Sequence, residues 1–317
     1  MEQDAKIYVA GHTGMAGSAI LRNLKGRGYC NLVCRTHAQL DLTDQRAVDD
    51  FLEQERPAYL FLAAARVGGI AANIEAPAEF LLDNLLIQCN VIRSAFRYGV
   101  KKLLFLGSSC IYPKQACQPI KEEYLMTGLM EPTNEGYAVA KVAGLKLCEY
   151  FRRQHGADFV SVMPCNLYGS HDNFDGRSSH IVPALIRKFH EAKVRGQESV
   201  TIWGTGSAYR ELLFADDMAD ACVYVMEHYS GEQFLNMGYG KDQTVLEIAN
   251  MVKETVGYSG KIVTDPSKPE GMHRKLMDSS RLYGLGWRPH TTLQEGLRLT
   301  YEWFLSHVWD QNQPQGM

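Results

Sequence analysis

Seven residues near the start of the chain restrict the fold more than any other feature. A short apolar run over 6–10 leads into Gly11, Gly14 and Gly17, and a helical pattern follows over 18–25. Glycines at this spacing permit a tight turn and bring the backbone close to a pyrophosphate, which the amino end of the helix attracts. The sequence therefore predicts a strand–turn–helix unit that binds a dinucleotide. The loop residues assigned to it are Gly11, His12, Thr13, Gly14, Met15, Ala16 and Gly17.

Apolar runs alternate with helical patterns throughout the first half of the chain. Strands that alternate with helices are typical of a parallel sheet covered on both faces. We therefore predict an α/β fold with a doubly wound parallel sheet, a Rossmann domain, over residues 1–168. The further candidate strands of this sheet lie at 31–35, 59–62, 103–106 and 159–163.

The pattern changes after Gly169, where a polar stretch over 170–179 precedes a new set of helices and short strands. We expect a smaller C-terminal α/β domain for the substrate over 169–317. Within it, residues 212–240 are expected to return to the large sheet, with 234–237 as a strand.

Composition excludes several classes of function. The chain of 317 residues is 45% hydrophobic and 22% charged, which is ordinary for a soluble globular protein. A net charge of −3 gives no general attraction to nucleic acid or anionic membrane. No apolar run approaches the ~20 residues of a membrane span. The eight cysteines form no paired Cys-x-x-Cys motifs, so we expect no metal site and a reducing cytoplasm.

A second motif carries reductive chemistry. The strand at 103–106 ends at Gly107 and Ser108, and Tyr137 and Lys141 share one face of a helix because they are four residues apart. A Lys ammonium beside a phenol favours the phenolate, which predicts a Tyr137 pKa below the usual value of about 10. With a Ser hydroxyl, this pair can donate a proton to a carbonyl oxygen that receives hydride.

The end of the second strand indicates which dinucleotide is bound. Arg35 stands where NAD-binding sites carry an acidic residue for the ribose 2′-hydroxyl. Because a cation suits a 2′-phosphate, the sequence favours NADPH. Asp41 is a candidate contact for the adenine, and the small side chains of 63–65 let a cofactor lie against the backbone.

These features together resemble the extended short-chain dehydrogenase/reductases that act on nucleotide sugars. Within that family, the chain looks like the members that epimerise C3 and C5 and reduce C4 of GDP-4-keto-6-deoxy-D-mannose with NADPH, giving GDP-L-fucose. The motifs that carry the resemblance are Val67-Gly68-Gly69-Ile70, Ser108-Ser109-Cys110-Ile111-Tyr112-Pro113, Asn166-Leu167-Tyr168-Gly169, Ile202-Trp203-Gly204-Thr205-Gly206 and Arg210-Glu211.

The resemblance implies roles for individual residues. Ser108, Tyr137 and Lys141 match the reductase triad, and Cys110 and His180 match the epimerase base and acid. The remaining implied cofactor contacts are Ala63, Ala65, Leu106, Gly107, Pro164, Asn166, Leu167 and His180. The implied substrate contacts are Ser108, Ser109, Cys110, Asn166, Lys188, Trp203, Arg210 and Asp278.

The sequence departs from the family at three positions. Thr13, His37 and Lys188 stand where related sequences can carry Arg. The preference for NADPH then depends on Arg35, and Lys188 lacks the bidentate phosphate contact of a guanidinium. The resemblance also implies a homodimer formed through the helices at 77–98 and 137–154.

Several alternatives share this fold. A related enzyme that acts on a 3,6-dideoxy sugar (GDP-L-colitose formation) is not excluded by any residue, and a nucleotide-sugar 4-epimerase would retain NAD. A 4,6-dehydratase would need an Asp-Glu pair where Cys110 and Ile111 stand. A non-catalytic NADP-sensing regulator is disfavoured because all of the catalytic groups are present.

Overall fold

The computed structural model describes residues 1–175, 179–268 and 272–310. Strands and helices alternate along most of this length. The strands are β1 (Ile7–Ala10), β2 (Leu32–Val33), β3 (Tyr59–Leu62), β4 (Lys102–Leu106), β5 (Asp158–Pro164), β6 (Asn166–Tyr168), β7 (Ser199–Trp203), β8 (Tyr209–Phe214), β9 (Leu235–Met237), β10 (Asp242–Thr244) and β11 (Lys261–Asp265). The helices are α1 (Met15–Gly26), α2 (Gln45–Glu55), α3 (Ile70–Glu75), α4 (Pro77–Arg97), α5 (Glu135–His155), α6 (Ile181–Val194), α7 (Ala215–His228), α8 (Val245–Val256), α9 (Ser280–Gly284) and α10 (Leu293–Phe304).

Six parallel strands form the large sheet, in the order β2-β1-β3-β4-β5-β9. The chain first moves outward from β1 to β2, then crosses back and adds β3 on the other side of β1. The strand order therefore reverses between β1 and β3, and open α/β sheets bind ligands at such a point, outside the carboxyl ends of the strands. The predicted doubly wound parallel sheet is confirmed.

The central strands are buried on both faces, because helices cover the sheet on either side. Helix α4 packs on α5, and α1 packs on α7. Lys102 is the polar exception inside β4. Its ammonium donates to the carbonyl oxygen of Met226 at 2.9 Å, which satisfies the buried charge at the end of α7.

The chain returns to the large sheet after a long excursion. Helix α7 lies against α1 and is tied to it by ion pairs, such as Arg22 with Asp216 at 2.8 Å. Strand β9 then pairs with β5, with Leu235, Asn236 and Met237 opposite 162–164. The sixth strand of the sheet is thus supplied by residues that follow β6, β7 and β8.

A second hydrophobic core lies among the C-terminal elements. Strand β8 pairs with β6 in parallel and with β10 in antiparallel orientation, while β7 and β11 form a separate parallel pair. Helices α6, α8 and α10 pack together beside these strands. The buried aromatic side chains of this core are Tyr168, Phe174, Phe189, Phe214, Tyr258 and Phe304.

Across the described ranges, no helix combines the length and apolar character that a membrane span requires.

Gly17, in the first turn of α1, is packed too closely against the preceding turn to accept a side chain. A Cβ on Gly17 would lie 2.2 Å from the Gly11 carbonyl oxygen, whereas a Cβ on Gly14 would lie at an ordinary 3.6 Å from the same atom. We predict that Gly17→Ala lowers the free energy of unfolding by about 1–3 kcal/mol, because backbone must move to relieve the overlap. Gly14→Ala is the matched control and should cost much less. Denaturant unfolding measures both, and equal stabilities of the two variants would contradict this packing.

Candidate active site

A cleft of about 980 Å³ opens at the carboxyl edge of the large sheet. Residues that follow β1, β3, β4 and β5 form one wall, and residues of α6, β7 and β8 form the other. The cleft therefore lies where the reversal of strand order predicts a ligand site. Of the residues that the sequence assigned to cofactor or substrate, all line the cleft except His12 and Asp278.

The glycine-rich turn forms one end of the cleft. Gly11 has φ +84°, a conformation that favours glycine, and its carbonyl oxygen accepts a hydrogen bond from the Gly14 nitrogen at 3.1 Å. A Cβ on Gly11 would lie 2.8 Å from the Ala64 Cα, so the turn and the end of β3 leave no room for a side chain there. This bare backbone at the amino end of α1 fits the pyrophosphate of a dinucleotide. Further predicted cofactor residues lining the cleft are Thr13, Met15, Ala16, Ala63, Ala65, Leu106, Gly107, Pro164, Asn166 and Leu167.

Arg35 reaches the cleft but already has an anionic partner. Its guanidinium lies 2.7 Å from the Glu55 carboxylate and 5.3 Å from the centre of the Phe51 ring. Glu55 also pairs with Lys6 at 3.1 Å. A 2′-phosphate at this place must therefore share Arg35 with Glu55. Sequence reasoning missed this pairing because Glu55 lies twenty residues further along the chain, at the end of α2.

Asp41 lies at the same end of the cleft. Its carboxylate accepts hydrogen bonds from the Thr43 nitrogen at 2.9 Å and the Thr43 hydroxyl at 2.7 Å. These bonds lower the pKa of Asp41, so the side chain is ionised and held by a local turn. His37 lies nearby with most of its side chain exposed.

The three residues of the predicted reductase triad come together above the end of β4. Ser108 follows β4 directly, and its Oγ accepts a hydrogen bond from the Cys110 nitrogen at 3.3 Å. Lys141 is buried in α5, and its Nζ donates to the Leu106 carbonyl oxygen at 2.9 Å. The same Nζ lies 5.7 Å from the centre of the Tyr137 ring, one helical turn away. The spacing of four residues on α5 thus places the phenol and the ammonium on the same wall, as predicted.

The pKa of Tyr137 differs from the sequence expectation. Burial raises the pKa of Tyr137 well above its ordinary value, the nearby Cys110 thiol acts in the same direction, and the hydrogen bond with Ser108 acts against them. The predicted lowering of this pKa is wrong, because burial has the larger effect. The ammonium of Lys141 donates to the Leu106 carbonyl oxygen. Tyr137 therefore keeps its proton at neutral pH, which suits a proton donor. Burial also lowers the pKa of Lys141 to about 8, against the opposing effect of Cys110.

Cys110 and His180 face the cleft from opposite halves of the chain. Cys110 lies on a short 3-10 turn after β4 and is buried, while His180 is the residue before α6. Burial raises the pKa of the Cys110 thiol, and the positive charges of Lys275 and Lys141 act against that rise. His180 presents exposed surface inside the cleft, yet desolvation by the surrounding protein lowers its pKa. A neutral thiol and a neutral imidazole are therefore the favoured forms of this pair at neutral pH.

The other end of the cleft carries cations and an exposed indole. The Nζ of Lys188 lies 5.8 Å from the centre of the Trp203 ring, and 52% of Trp203 is exposed. Arg210 donates from Nη1 to the Met272 carbonyl oxygen at 2.8 Å. An aromatic face beside two basic side chains suits a nucleotide, because the ring can stack on a base while the cations meet its phosphates.

Asp278 lies outside the lining of the cleft, although the sequence assigned it to the substrate. Its carboxylate accepts a hydrogen bond from the Ser280 nitrogen at 2.9 Å, and its own nitrogen donates to the Ile120 carbonyl at 2.8 Å. His12, assigned to the cofactor, is also outside the lining.

Some residues that line the cleft were missed by sequence reasoning. Thr133 and Asn134 lie just before Tyr137, so their position next to a candidate donor was an available signal. Lys275 had no such signal, because folding brings it to Cys110 from more than 160 positions away. Within the described ranges, no three His, Cys, Asp or Glu side chains gather in a way that could hold a metal ion.

This chain is similar to known proteins along most of its length. The NAD dependent epimerase/dehydratase family matches residues 7–238, which include the large sheet. GDP-L-fucose synthase 1 of Arabidopsis thaliana is 57% identical over 97% of this chain and 95% of its own length. GDP-L-colitose synthase of Yersinia pseudotuberculosis is 39% identical over 95% of this chain and 98% of its own length.

A solved structure of a GDP-L-fucose synthetase from Naegleria fowleri, bound to NADP, has the same fold. The two structures superpose with a TM-score of 0.90 at 28% sequence identity, over 98% of this chain and 96% of the other. Together with the family match over residues 7–238 and the full-length similarity to a GDP-L-fucose synthase, this establishes that the chain belongs to the NAD dependent epimerase/dehydratase family.

Proposed function

We propose that the protein is an NADPH-dependent GDP-L-fucose synthase, which epimerises C3 and C5 of GDP-4-keto-6-deoxy-D-mannose and reduces C4. One observation carries the proposal: the proton-donating triad and the thiol–imidazole pair line a single cleft together with the glycine-rich turn. The similarity over 97% of the chain to a GDP-L-fucose synthase supports the same activity. The 39% identity to a GDP-L-colitose synthase makes the 3,6-dideoxy substrate the second candidate.

The chemistry follows from the ketone at C4, which makes the C–H bonds at C3 and C5 acidic. Cys110 acts as its thiolate: it removes a proton and becomes a thiol, while the electron pair of the C–H bond moves onto the C4 oxygen as an enolate. Tyr137 and Ser108 stabilise that oxygen by hydrogen bonds. His180 takes up a proton from solvent and then donates it to carbon from the other wall. A single base–acid pair placed near C4 can serve both carbons in turn.

Reduction uses the same hydrogen bonds to the C4 oxygen. NADPH, held by the glycine-rich turn, residues 63–65 and Lys141, supplies the hydride. Tyr137 gives its proton to the C4 oxygen, and Lys141 beside it provides positive charge that stabilises the resulting phenolate. Because burial favours the protonated phenol, the donor is already loaded at neutral pH.

Incubation with GDP-4-keto-6-deoxy-D-mannose and NADPH tests the proposal, with NMR identification of the product. GDP-L-fucose is the expected product. A product unchanged at C3 and C5, or elimination of water instead of reduction, would contradict it. The 3,6-dideoxy analogue of the substrate is assayed in parallel. A higher kcat/KM for this analogue than for GDP-4-keto-6-deoxy-D-mannose would favour the second candidate.

The two activities should separate by mutation. We predict that Cys110→Ala still reduces the ketone slowly and gives a product with the starting configuration at C3 and C5. In deuterated water without NADPH, the unmodified protein should place deuterium at both carbons, and Cys110→Ala should lose this exchange by about 10²–10⁴-fold. Unchanged exchange and GDP-L-fucose formation by Cys110→Ala would make Cys110 a packing residue.

Tyr137→Phe is the counterpart for the reduction step. This variant should bind NADPH normally but lose reduction by about 10²–10⁴-fold.

We propose NADPH as the cofactor because Arg35 lines the cleft at the ribose end and the Naegleria fowleri relative was solved with NADP. Arg35→Ala should reduce the use of NADPH about ten- to a hundredfold relative to NADH, since a charge-assisted contact contributes about 1.5–3 kcal/mol. Glu55→Gln should change the ratio in the opposite direction, because it frees the guanidinium for the phosphate. Arg46→Ala removes an exposed charge from the same helix as Glu55 and serves as the control. Equal kcat/KM for both cofactors in the unmodified protein would contradict the preference.

We also propose a homodimer formed through α4 and α5. These helices pack on each other and expose Leu82, Leu86 and Val139 on their outer surface, at 56%, 38% and 42%. Exposed apolar side chains clustered in this way mark an interaction surface.

Light scattering should give twice the chain mass of 35.6 kDa, and Leu82→Asp should give the monomer. Leu129→Asp, at a position 87% exposed in a loop, is the control and should stay dimeric. A monomeric unmodified protein would contradict the dimer.

All eight cysteines are free in the structure, which supports the expectation of a reducing, cytoplasmic location.

A further inference from the structure

The segment 272–278 contributes Met272 and Lys275 to the lining of the cleft and is anchored on both sides of Lys275. Residues before and after Lys275 make hydrogen bonds or ion pairs to three other parts of the structure: β8, β10 and the loop at 118–120. These contacts are Met272 O with Arg210 at 2.8 Å, His273 O with Tyr209 N at 2.7 Å, Arg274 with Asp242 at 2.6 Å, Leu276 N with Gln118 at 2.8 Å, Met277 N with Glu211 at 2.9 Å and Asp278 N with Ile120 O at 2.8 Å. The backbone around Lys275 is therefore fixed.

Glu211 is the most deeply placed of these anchors. Its carboxylate is completely buried and accepts hydrogen bonds from the Gly240 nitrogen at 2.7 Å and the Met277 nitrogen at 2.9 Å. The backbone two residues beyond Lys275 is thus tied to β8 and to the chain that leaves β9. Such a network holds the Lys275 side chain at the cleft instead of leaving it free to turn to solvent.

Lys275 itself lines the cleft, and its side chain is partly exposed there. Among the described residues, its ammonium makes no hydrogen bond and no ion pair. A desolvated ammonium without a counter-charge is costly, and burial accordingly lowers the pKa of Lys275. Negative charge that develops beside the ammonium during the reaction would offset this cost.

Cys110 is the group that can supply that charge. The other ionisable side chains around the two residues are Lys141 and Tyr137 from α5, Arg210 from β8, Glu131 from the loop before α5, and Cys165 after β5. Glu131 is the carboxylate in this set, and it is paired with Lys114 at 3.1 Å. Cations thus surround the thiol without a free carboxylate among these neighbours to cancel them, and Lys275 has the largest influence of any charge on it.

We propose that Lys275 is a positioning residue that stabilises the Cys110 thiolate and so makes it the base for epimerisation; this rests on the function proposed above. The thiolate takes the proton from C3 or C5 and becomes a thiol, while the electron pair of the C–H bond moves to the C4 oxygen. The thiol then releases its proton to solvent. His180 takes up a proton from solvent and donates it to carbon, and the enolate becomes the ketone again. Lys275 keeps all of its protons throughout and acts only by its charge.

The variants Lys275→Met and Lys275→Gln remove the positive charge, and Lys275→Arg keeps it. Lys268→Met is the control, because it removes an exposed charge from the same connection between β11 and α9. The rate of Cys110 alkylation by iodoacetamide is measured across pH 6 to 10 by peptide mass spectrometry, without substrate. Loss of the positive charge raises the pKa of the thiol, so the alkylation profile should move to higher pH in both neutral variants. Lys275→Arg and Lys268→Met should keep the original profile.

Deuterium exchange at C3 and C5 should fall about tenfold or more at pH 7 in the neutral variants and recover as the pH rises. The KM for the GDP-sugar should change by less than about threefold, and NADPH oxidation should fall less than exchange. An unchanged alkylation profile, or a raised KM with both activities reduced equally, would overturn the proposal and make Lys275 a substrate contact. Because alkylation needs no substrate, absence of exchange in the unmodified protein would contradict the proposed function alone. Melting temperatures identify any variant that fails to fold, and the second neutral variant then decides.

Discussion

Desolvation by the surrounding protein shifts the pKa of four reactive side chains in the cleft. Burial favours the neutral forms of Cys110, Tyr137, Lys141 and His180, so the resting site holds a phenol with its proton and a thiol that needs help to ionise. The same low polarity strengthens the effect of each charge that remains. In the proposals above, the charges of Lys141 in α5 and of Lys275 after β11 therefore act on Tyr137 and Cys110 without a hydrogen bond to either.

The division of the site between two halves of the chain has a chemical counterpart. In the proposed mechanism, the large sheet and the helix that follows β4 supply the groups that act on the C4 oxygen, since Ser108 follows β4 and Tyr137 lies in the first turn of α5. The C-terminal elements supply His180, Trp203 and Arg210, which face the remainder of a nucleotide sugar. Relative placement of the two halves thus sets which carbon meets the thiol and the imidazole. In that mechanism, reduction and epimerisation depend on one bound position of the ketone, so they share a site without sharing all of their residues.

The parts of the site that sequence predicts are those whose chemistry lies within one turn or one helix. The glycine spacing before α1 and the four-residue spacing from Tyr137 to Lys141 are local, and both have the expected geometry. Properties that depend on distant residues were missed or wrong: the partner of Arg35, the direction of the Tyr137 pKa shift, and the approach of Lys275 to Cys110. The short strands β6, β8 and β10 were missed for the same reason, because they are stabilised by pairing between remote segments and not by local pattern.

The position of β9 has a consequence for how the chain is made. A ribosome releases the first five strands of the large sheet well before residues 215–237, which form α7 and β9. Until those residues emerge, β5 presents an unpaired edge and α1 lacks the helix that covers it. The nascent chain must therefore keep an unfinished sheet from pairing with other chains while about seventy further residues are synthesised, which is the period when such edges promote aggregation. Completion of the large sheet thus waits for synthesis of β6, α6, β7 and β8, which belong to the other half of the structure.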